Sequence, residues 1–474
     1  MKKPLSTALK IFYGVGDCSF TLMTNMETYY FQSFLTDLAK FSTVTAGLIG
    51  TVASIIDACL SWIYGAILNS VKPMKWGRYR SWLILAPWLV PFLYAVEFLK
   101  IGNGTTAAVI IIIGYVTSHI VWNLAYVANA SMIVVAANSP EDRAQLTATR
   151  GAWANFSKVI FSYVGLPLAT LLAGVVGEVS KFAAAAFVLG WVMVLFYFIH
   201  FKMFDGYEET GAEELAKPKD KQEKTSGGDL IKALFTNGPL IVLMLSDIVR
   251  WIFNFVLGGI ATYYFKYAGG LTPAEFGKIW PMYLLISNLA AVVGSYVSKY
   301  FAKAFGAKMG TIIVYALIAV CLFAAKLLYA SVSVWVVIIL ISLALFGYGA
   351  SYSLIPAMYA DTVIYSEWKT GKNAAGWIMG LMNVPLKIGV IARPVIITAC
   401  LAAAKYDGAT VVAAYKAGTF KQTAELSAGI TNAFMLIPGI CIVVGMVLLL
   451  VGYRLNKTKV AEYQAEINAR KEKA

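Results

Sequence analysis

The chain reads as an all-α membrane protein of twelve transmembrane helices, and three observations predict it. Of its 474 residues 59% are hydrophobic and only 14% charged, whereas soluble domains carry about 25% charged residues. So apolar a surface would form sticky patches in water. Apolar runs of bilayer length, roughly 20 residues each, recur along the whole sequence. Basic residues collect in the short connections between those runs, where they act as an orientation signal.

Hydropathy places the spans at about 9–34, 43–69, 82–99, 105–137, 150–176, 180–201, 237–265, 276–300, 309–329, 333–359, 374–404 and 429–453. The N-terminus does not read as a cleaved signal. Its apolar region is broken by Gly14, Gly16 and Asp17 and runs on into a longer span. The connection after the second span holds Lys72, Lys75, Arg78 and Arg80 without an acid; the one after the eighth adds Lys303 and Lys308. The tail adds Arg454, Lys457, Lys459, Arg470, Lys471 and Lys473, so both termini are expected in the cytoplasm. The net charge of +14 is thereby accounted for without a nucleic-acid partner.

A polar, mixed-charge segment divides the spans six and six. The expected organisation is a six-helix bundle at 1–204, a cytoplasmic linker at 205–230, a second bundle at 231–455 and a cytoplasmic tail at 456–474. Two six-helix bundles around a central linker form the architecture of major facilitator transporters, with a substrate site near the midplane. The stretch 405–427 is expected to be a long external connection. The five cysteines lie in apolar runs without a CxxC pair, so no disulfide framework or zinc site is expected. There are only two histidines, His119 and His200, which argues against a histidine-rich centre. No phosphate loop or nucleophile–histidine arrangement can be placed, and the linker is too short to be a catalytic domain; an enzyme or non-transporting sensor is the weakest reading.

Eight ionisable residues fall inside spans: Asp17, Glu27, Asp57, Lys158, Asp247, Arg250, Lys387 and Arg393. A charge at the bilayer centre costs at least ~2.5 kcal/mol on insertion scales, so these residues should line a cavity or pair with one another. Asp247 and Arg250, three apart, are neighbours on one helix. Asp57 has no opposite charge within reach on its own helix, and Ser61 lies one turn later. A desolvated carboxylate can bind a proton near neutrality, or a Na⁺ ion can stabilise its ionised form; a salt bridge to Lys387 is the plainer alternative. Arg393, before Pro394, is suited to clamp a carboxylate, sulfonate or phosphate, or else snorkels from a helix end. Tyr126 and Trp377 are among the aromatics close enough to these charges to be candidates for stacking on a flat ligand.

Five stretches resemble one family: "YGVGD" (13–17), "FLTD" (34–37), "KWGRYRSW" (75–82), "EDRAQLTATRG" (141–151) and, most specifically, "ADTVIYSEWKTGKNAAG" (360–376). Together they are similar to the glycoside–pentoside–hexuronide:cation symporters over nearly the whole chain. The resemblance implies a major facilitator fold, alternating access, and uptake of a sugar-like solute with H⁺ or Na⁺ across a bacterial inner membrane by a monomer. It implies that Asp17 contacts the sugar, that Asp57 couples the cation and that Lys387 lies near the coupling site. Arg78, Arg143, Asp361, Glu367 and Lys369 fall in the motifs it ties to cytoplasmic gating. Two departures stand out. Sodium-coupled members place a second aspartate where Ser61 stands, and galactoside carriers place an aspartate about where Tyr126 stands. Glu27, Lys158, Arg250 and Arg393 are additions. The expected function is therefore symport of an anionic sugar (hexuronide, sulfonated or carboxylated), with H⁺ rather than Na⁺ and without a bound cofactor. Substrate binding is expected at Asp17, Glu27, Tyr126, Arg250, Trp377, Lys387 and Arg393, and coupling at Asp57, Ser61 and Lys387. An amphipathic solute, steroid- or lysolipid-like, is the alternative.

Overall fold

The computed structural model describes residues 3–61, 63–137, 140–210, 236–371 and 375–473. Among them the structure is helical, apart from turns and one isolated antiparallel bridge between Met74 and Gly77. Nine described helices are long and apolar enough to cross a membrane. One of these, Pro273–Leu328, holds two spans, because Gly306 leaves the helical region with φ 77° and ψ 165°. Two further spans are assembled from pieces. The first is Val15–Ser33, prolonged by a π-helical turn at Phe34–Leu38. The third is Arg80–Leu85 and Val90–Glu97, joined by a short 3₁₀ turn that begins at Pro87. Proline lacks the N–H that a continuous helix needs, which accounts for the break in the α-helix at Pro87.

Helix ends follow from local chemistry. Thr272 and Glu275 form a reciprocal capping box before Pro273. Gly371, at φ 70°, closes Val334–Thr370 in the left-handed conformation that glycine adopts without steric cost.

The chain divides into two compact units, Met1–Asp220 with Tyr406–Phe420, and Lys221–Lys405 with Lys421–Ala474. In the first, Val15–Ser33 packs on Pro140–Val176 and Lys181–Met203, while Thr43–Ser61 and Val90–Glu97 pack on Gly104–Ala136. In the second, Asn383–Ala403 and Ile437–Val451 pack on Gly238–Tyr263, and Val334–Thr370 packs along Pro273–Leu328. Gly294 and Gly349 let that last pair touch backbone to backbone; a Cβ at either would meet the carbonyl of Phe346 or Ala291.

Three elements differ from the sequence expectation. The fifth span begins at Pro140, ten residues before its apolar run. The external stretch is not a plain connection: Asp407 accepts from the backbone N–H of Ala409 and Thr410 and starts the helix Gly408–Lys416. That helix belongs to the first unit, where the Tyr406 hydroxyl donates to Asp37 at 2.6 Å and Thr43 Oγ1 donates to the Tyr406 carbonyl at 2.9 Å. The tail forms the helix Lys457–Lys473. Of the linker, residues 211–230 lie outside the described residues.

Candidate functional site

The first unit contains two buried polar clusters. One surrounds Asp17, near the start of Val15–Ser33. Arg150, from the extended part of the fifth span, approaches both carboxylate oxygens through Nε at 2.8 Å and Oδ1 through Nη2 at 2.5 Å. Its guanidinium lies 5.1 Å from the Tyr126 ring centroid, and Tyr126 stacks on Phe20 at 4.1 Å. Asn129 Nδ2 donates to Asp17 Oδ2 at 3.3 Å, and the Tyr13 hydroxyl donates to the Asn129 carbonyl at 2.5 Å. His200 Nδ1 faces Asn129 Oδ1 at 2.8 Å, while its Nε2 faces the Gly16 N–H at 3.4 Å and the Phe12 carbonyl at 3.2 Å. The amide oxygen, at the shorter distance, is assigned the proton on Nδ1; Nε2 then accepts from the Gly16 N–H, and its approach to the Phe12 carbonyl is a contact without a proton.

The glycines of "YGVGD" make this packing possible. A Cβ on Gly14 would lie 2.5 Å from Thr149 O and from Trp153 Cβ, and one on Gly16 would lie 3.0 Å from the His200 ring.

The second cluster joins three helices. His119, on Gly104–Ala136, points Nε2 at Glu27 Oε2 (3.1 Å) and Nδ1 at Asp57 Oδ1 (3.4 Å). The Tyr115 hydroxyl donates to Glu27 Oε1 at 3.1 Å, and the Tyr64 hydroxyl to Asp57 Oδ1 at 3.2 Å. Tyr115 and Trp122 hold the imidazole by ring contacts at 4.0 and 4.4 Å. Ser118 reaches Glu97 Oε2 at 3.4 Å, and Glu97 is fully buried.

In the second unit the Asp247–Arg250 pair forms as its spacing suggests, with Nε and Nη2 both 2.7 Å from Asp247 Oδ1. The Tyr359 hydroxyl adds a contact to Oδ2 at 3.4 Å, and the guanidinium lies over Trp251 and Tyr348. Arg393 is buried with its aliphatic stem against Gly259 of Gly238–Tyr263, and Lys387 is half-buried on the same helix as Arg393. The Trp377 side chain lies outside the described residues.

The structure thus brings Asp17 together with Tyr126 through Arg150, and it joins Glu27, expected with the substrate residues, to Asp57, expected at the coupling site. Ser61 does not join them: its hydroxyl donates to the Ala58 carbonyl at 2.8 Å, the back-bonding open to any helical serine. Among the participants that sequence reasoning missed are Arg150, Glu97, His119 and His200. Arg150 fell at the edge of an apolar window, although its motif was noted. Glu97 was absorbed into the end of the third span. His119 and His200 were set aside because two histidines are few, yet each sits at the heart of a cluster.

At the motifs expected to gate, Arg78 donates to the Val71 carbonyl at 3.3 Å and Arg143 is exposed. Arg80 is anchored as well, with Nη2 2.7 Å from Asp205 and Nε donating to the Phe201 carbonyl at 2.8 Å. Asp361 and Glu367 are half-buried on Val334–Thr370, and Lys369 donates to the Thr236 carbonyl at 2.8 Å. Trp368 stacks near Tyr463 at 4.3 Å and donates to Glu466 at 2.7 Å, so this motif is clasped by the C-terminal helix.

A family model described as MFS/sugar transport protein matches residues 12–457. The chain belongs to this family. It is an integral membrane transporter rather than an enzyme. It is 24% identical to a glucuronide carrier protein homolog of Escherichia coli K12 over 99% of this chain and 97% of that one. It is 23% identical to an isoprimeverose transporter of Lactiplantibacillus pentosus, covering 80% of this chain and 76% of that one. Its fold is similar to that of a D-xylose–proton symporter of known structure, with a TM-score of 0.64 at 14% identity over 96% of this chain and 98% of that one.

Proposed function

We propose that this transporter imports a small anionic sugar-like solute together with a proton by alternating access. It would act as a monomer in a bacterial cytoplasmic membrane with both termini inside, needing no cofactor. The observation that carries the reading is the setting of Asp57. It is buried, faces the Tyr64 hydroxyl and the His119 imidazole, and receives nothing from Ser61. Hydroxyl and imidazole groups manage protons, so the site is suited to H⁺.

The solute reading is supported by Arg150. It commits Nε and Nη2 to Asp17, while Nη1 makes no hydrogen bond among the described residues. A guanidinium with one free edge binds a carboxylate or sulfonate well. Asp17 beside it accepts from sugar hydroxyls, and the Tyr126–Phe20 stack offers an aromatic face. The similarity to a glucuronide carrier homolog supports a hexuronide-like solute.

A thermal-shift panel on the purified protein tests this, comparing neutral glycosides, uronides, sulfonated sugars and amphiphilic anions with and without Na⁺. Stabilisation by anionic sugars that is lost in Arg150→Lys supports the reading, because lysine cannot keep the bidentate geometry. Stabilisation by neutral glycosides alone, or by amphiphiles alone, contradicts it.

A further inference from the structure

We propose that His119 is the residue that carries the coupling proton, taking it up and giving it back between Glu27 and Asp57. This rests on the proton-symport reading above and names the group that performs it.

The argument begins with donor counting. Each ring nitrogen of His119 faces a carboxylate oxygen, Glu27 at 3.1 Å and Asp57 at 3.4 Å. Ionised carboxylates only accept, and a neutral imidazole owns one N–H. With the ring neutral, one of the two contacts therefore sets a bare nitrogen against a bare oxygen. One added proton repairs it. The cluster has a place for that proton, and Glu27, Asp57 and His119 are all buried.

The surroundings favour the ring as its carrier. Tyr115 and Tyr64 donate to Glu27 and Asp57, bonds that a carboxylate oxygen accepts. Ring contacts with Tyr115 and Trp122 fix the imidazole plane and set aromatic faces against it, an arrangement that suits a cation. Among the described residues, Glu97, reached through Ser118, and Tyr94, whose ring lies 5.2 Å from Trp122, also face this region. Glu97 adds negative charge on the same side of the balance.

The step is a simple proton transfer. On loading, an O–H bond of a hydronium ion breaks as an N–H bond forms at the bare ring nitrogen, leaving water behind and making the ring an imidazolium between two carboxylates. On release that N–H bond breaks, and the proton leaves past Asp57 to water on the other side; nothing is oxidised or reduced. The three groups stand on three different helices of one unit, Val15–Ser33, Thr43–Ser61 and Gly104–Ala136. Any shift among these helices changes both gaps, and with them the hold on the proton.

The chain's having only two histidines makes the test direct. The full-length protein carrying ¹⁵N-labelled histidine, in lipid nanodiscs, is followed by NMR over a pH series. The expected result is one ring that passes between imidazole and imidazolium, is absent from His119→Gln and titrates differently in Asp57→Asn. The other ring, His200, is expected to stay neutral, with its proton on Nδ1. Should His119→Gln fail to fold, His200→Gln makes the assignment by leaving the titrating signal in place. A His119 ring that keeps one protonation state throughout, or titrates identically in Asp57→Asn, overturns the proposal. Solute uptake that follows a Na⁺ gradient and ignores a protonophore overturns the symport reading and this proposal together. A silent ring in a protein whose uptake follows the proton gradient overturns this proposal alone.

Discussion

At the residue scale, the charges inside the membrane divide by partner. Asp247 and Arg250 are each almost completely buried, with side chains 2% and 3% exposed. Removing one partner of a buried pair costs about 3–5 kcal/mol, because it strands the other charge. Arg250→Ala is therefore expected to lower thermal stability strongly, while the double change Asp247→Leu with Arg250→Met is expected to recover much of it; a denaturation series on the three proteins checks this. The pairing was legible from three-residue spacing. The Arg150–Asp17 contact was not, because it joins residues 133 positions apart and spacing is blind to such contacts. The glycines of the first motif offer a second residue-scale check. Overpacking a tight contact costs typically 1–3 kcal/mol, so Gly14→Ala is expected to destabilise by ~1–3 kcal/mol, and an unchanged melting curve would contradict the close packing against Thr149 and Trp153.

At the scale of elements, hydropathy located the spans because each must bury about the same length of apolar chain. It was weakest where helices continue into polar sequence. The fifth span runs back to Pro140 through Arg143 and Arg150, and only the structure shows that this amphipathic extension carries Arg150 into the unit. The helix Gly408–Lys416 was read as a connection because it is short and follows a polar, glycine-containing stretch; its place depends on Tyr406 meeting Asp37, a contact spanning 369 positions. Tyr406→Phe removes that hydrogen bond and is expected to raise hydrogen exchange across 408–416 without affecting 457–473. The C-terminal helix makes the converse case. Trp368→Phe keeps the ring but loses the hydrogen bond to Glu466, and is expected to speed proteolysis within 457–473 while leaving the spans protected.

At the scale of the whole molecule, composition and the spread of motifs were enough to read a twelve-span transporter, and the family match bears that out. The chemistry of coupling was less legible. The sequence marks Asp57 and Glu27 as costly charges, but the histidine joining them comes from the fourth span, whose lack of acids drew attention away from its one imidazole. On the function proposed above, two clusters in one unit divide the work: Asp17 with Arg150 for the solute, and Glu27, His119 and Asp57 for the proton.

The most direct measurement is the pH of a lightly buffered suspension of proteoliposomes when the best-stabilising solute from the panel is added. The account predicts a transient external alkalinisation as solute and proton enter together, abolished by a protonophore and unchanged when choline replaces Na⁺. Uptake that leaves the external pH flat and stops without Na⁺ would contradict it.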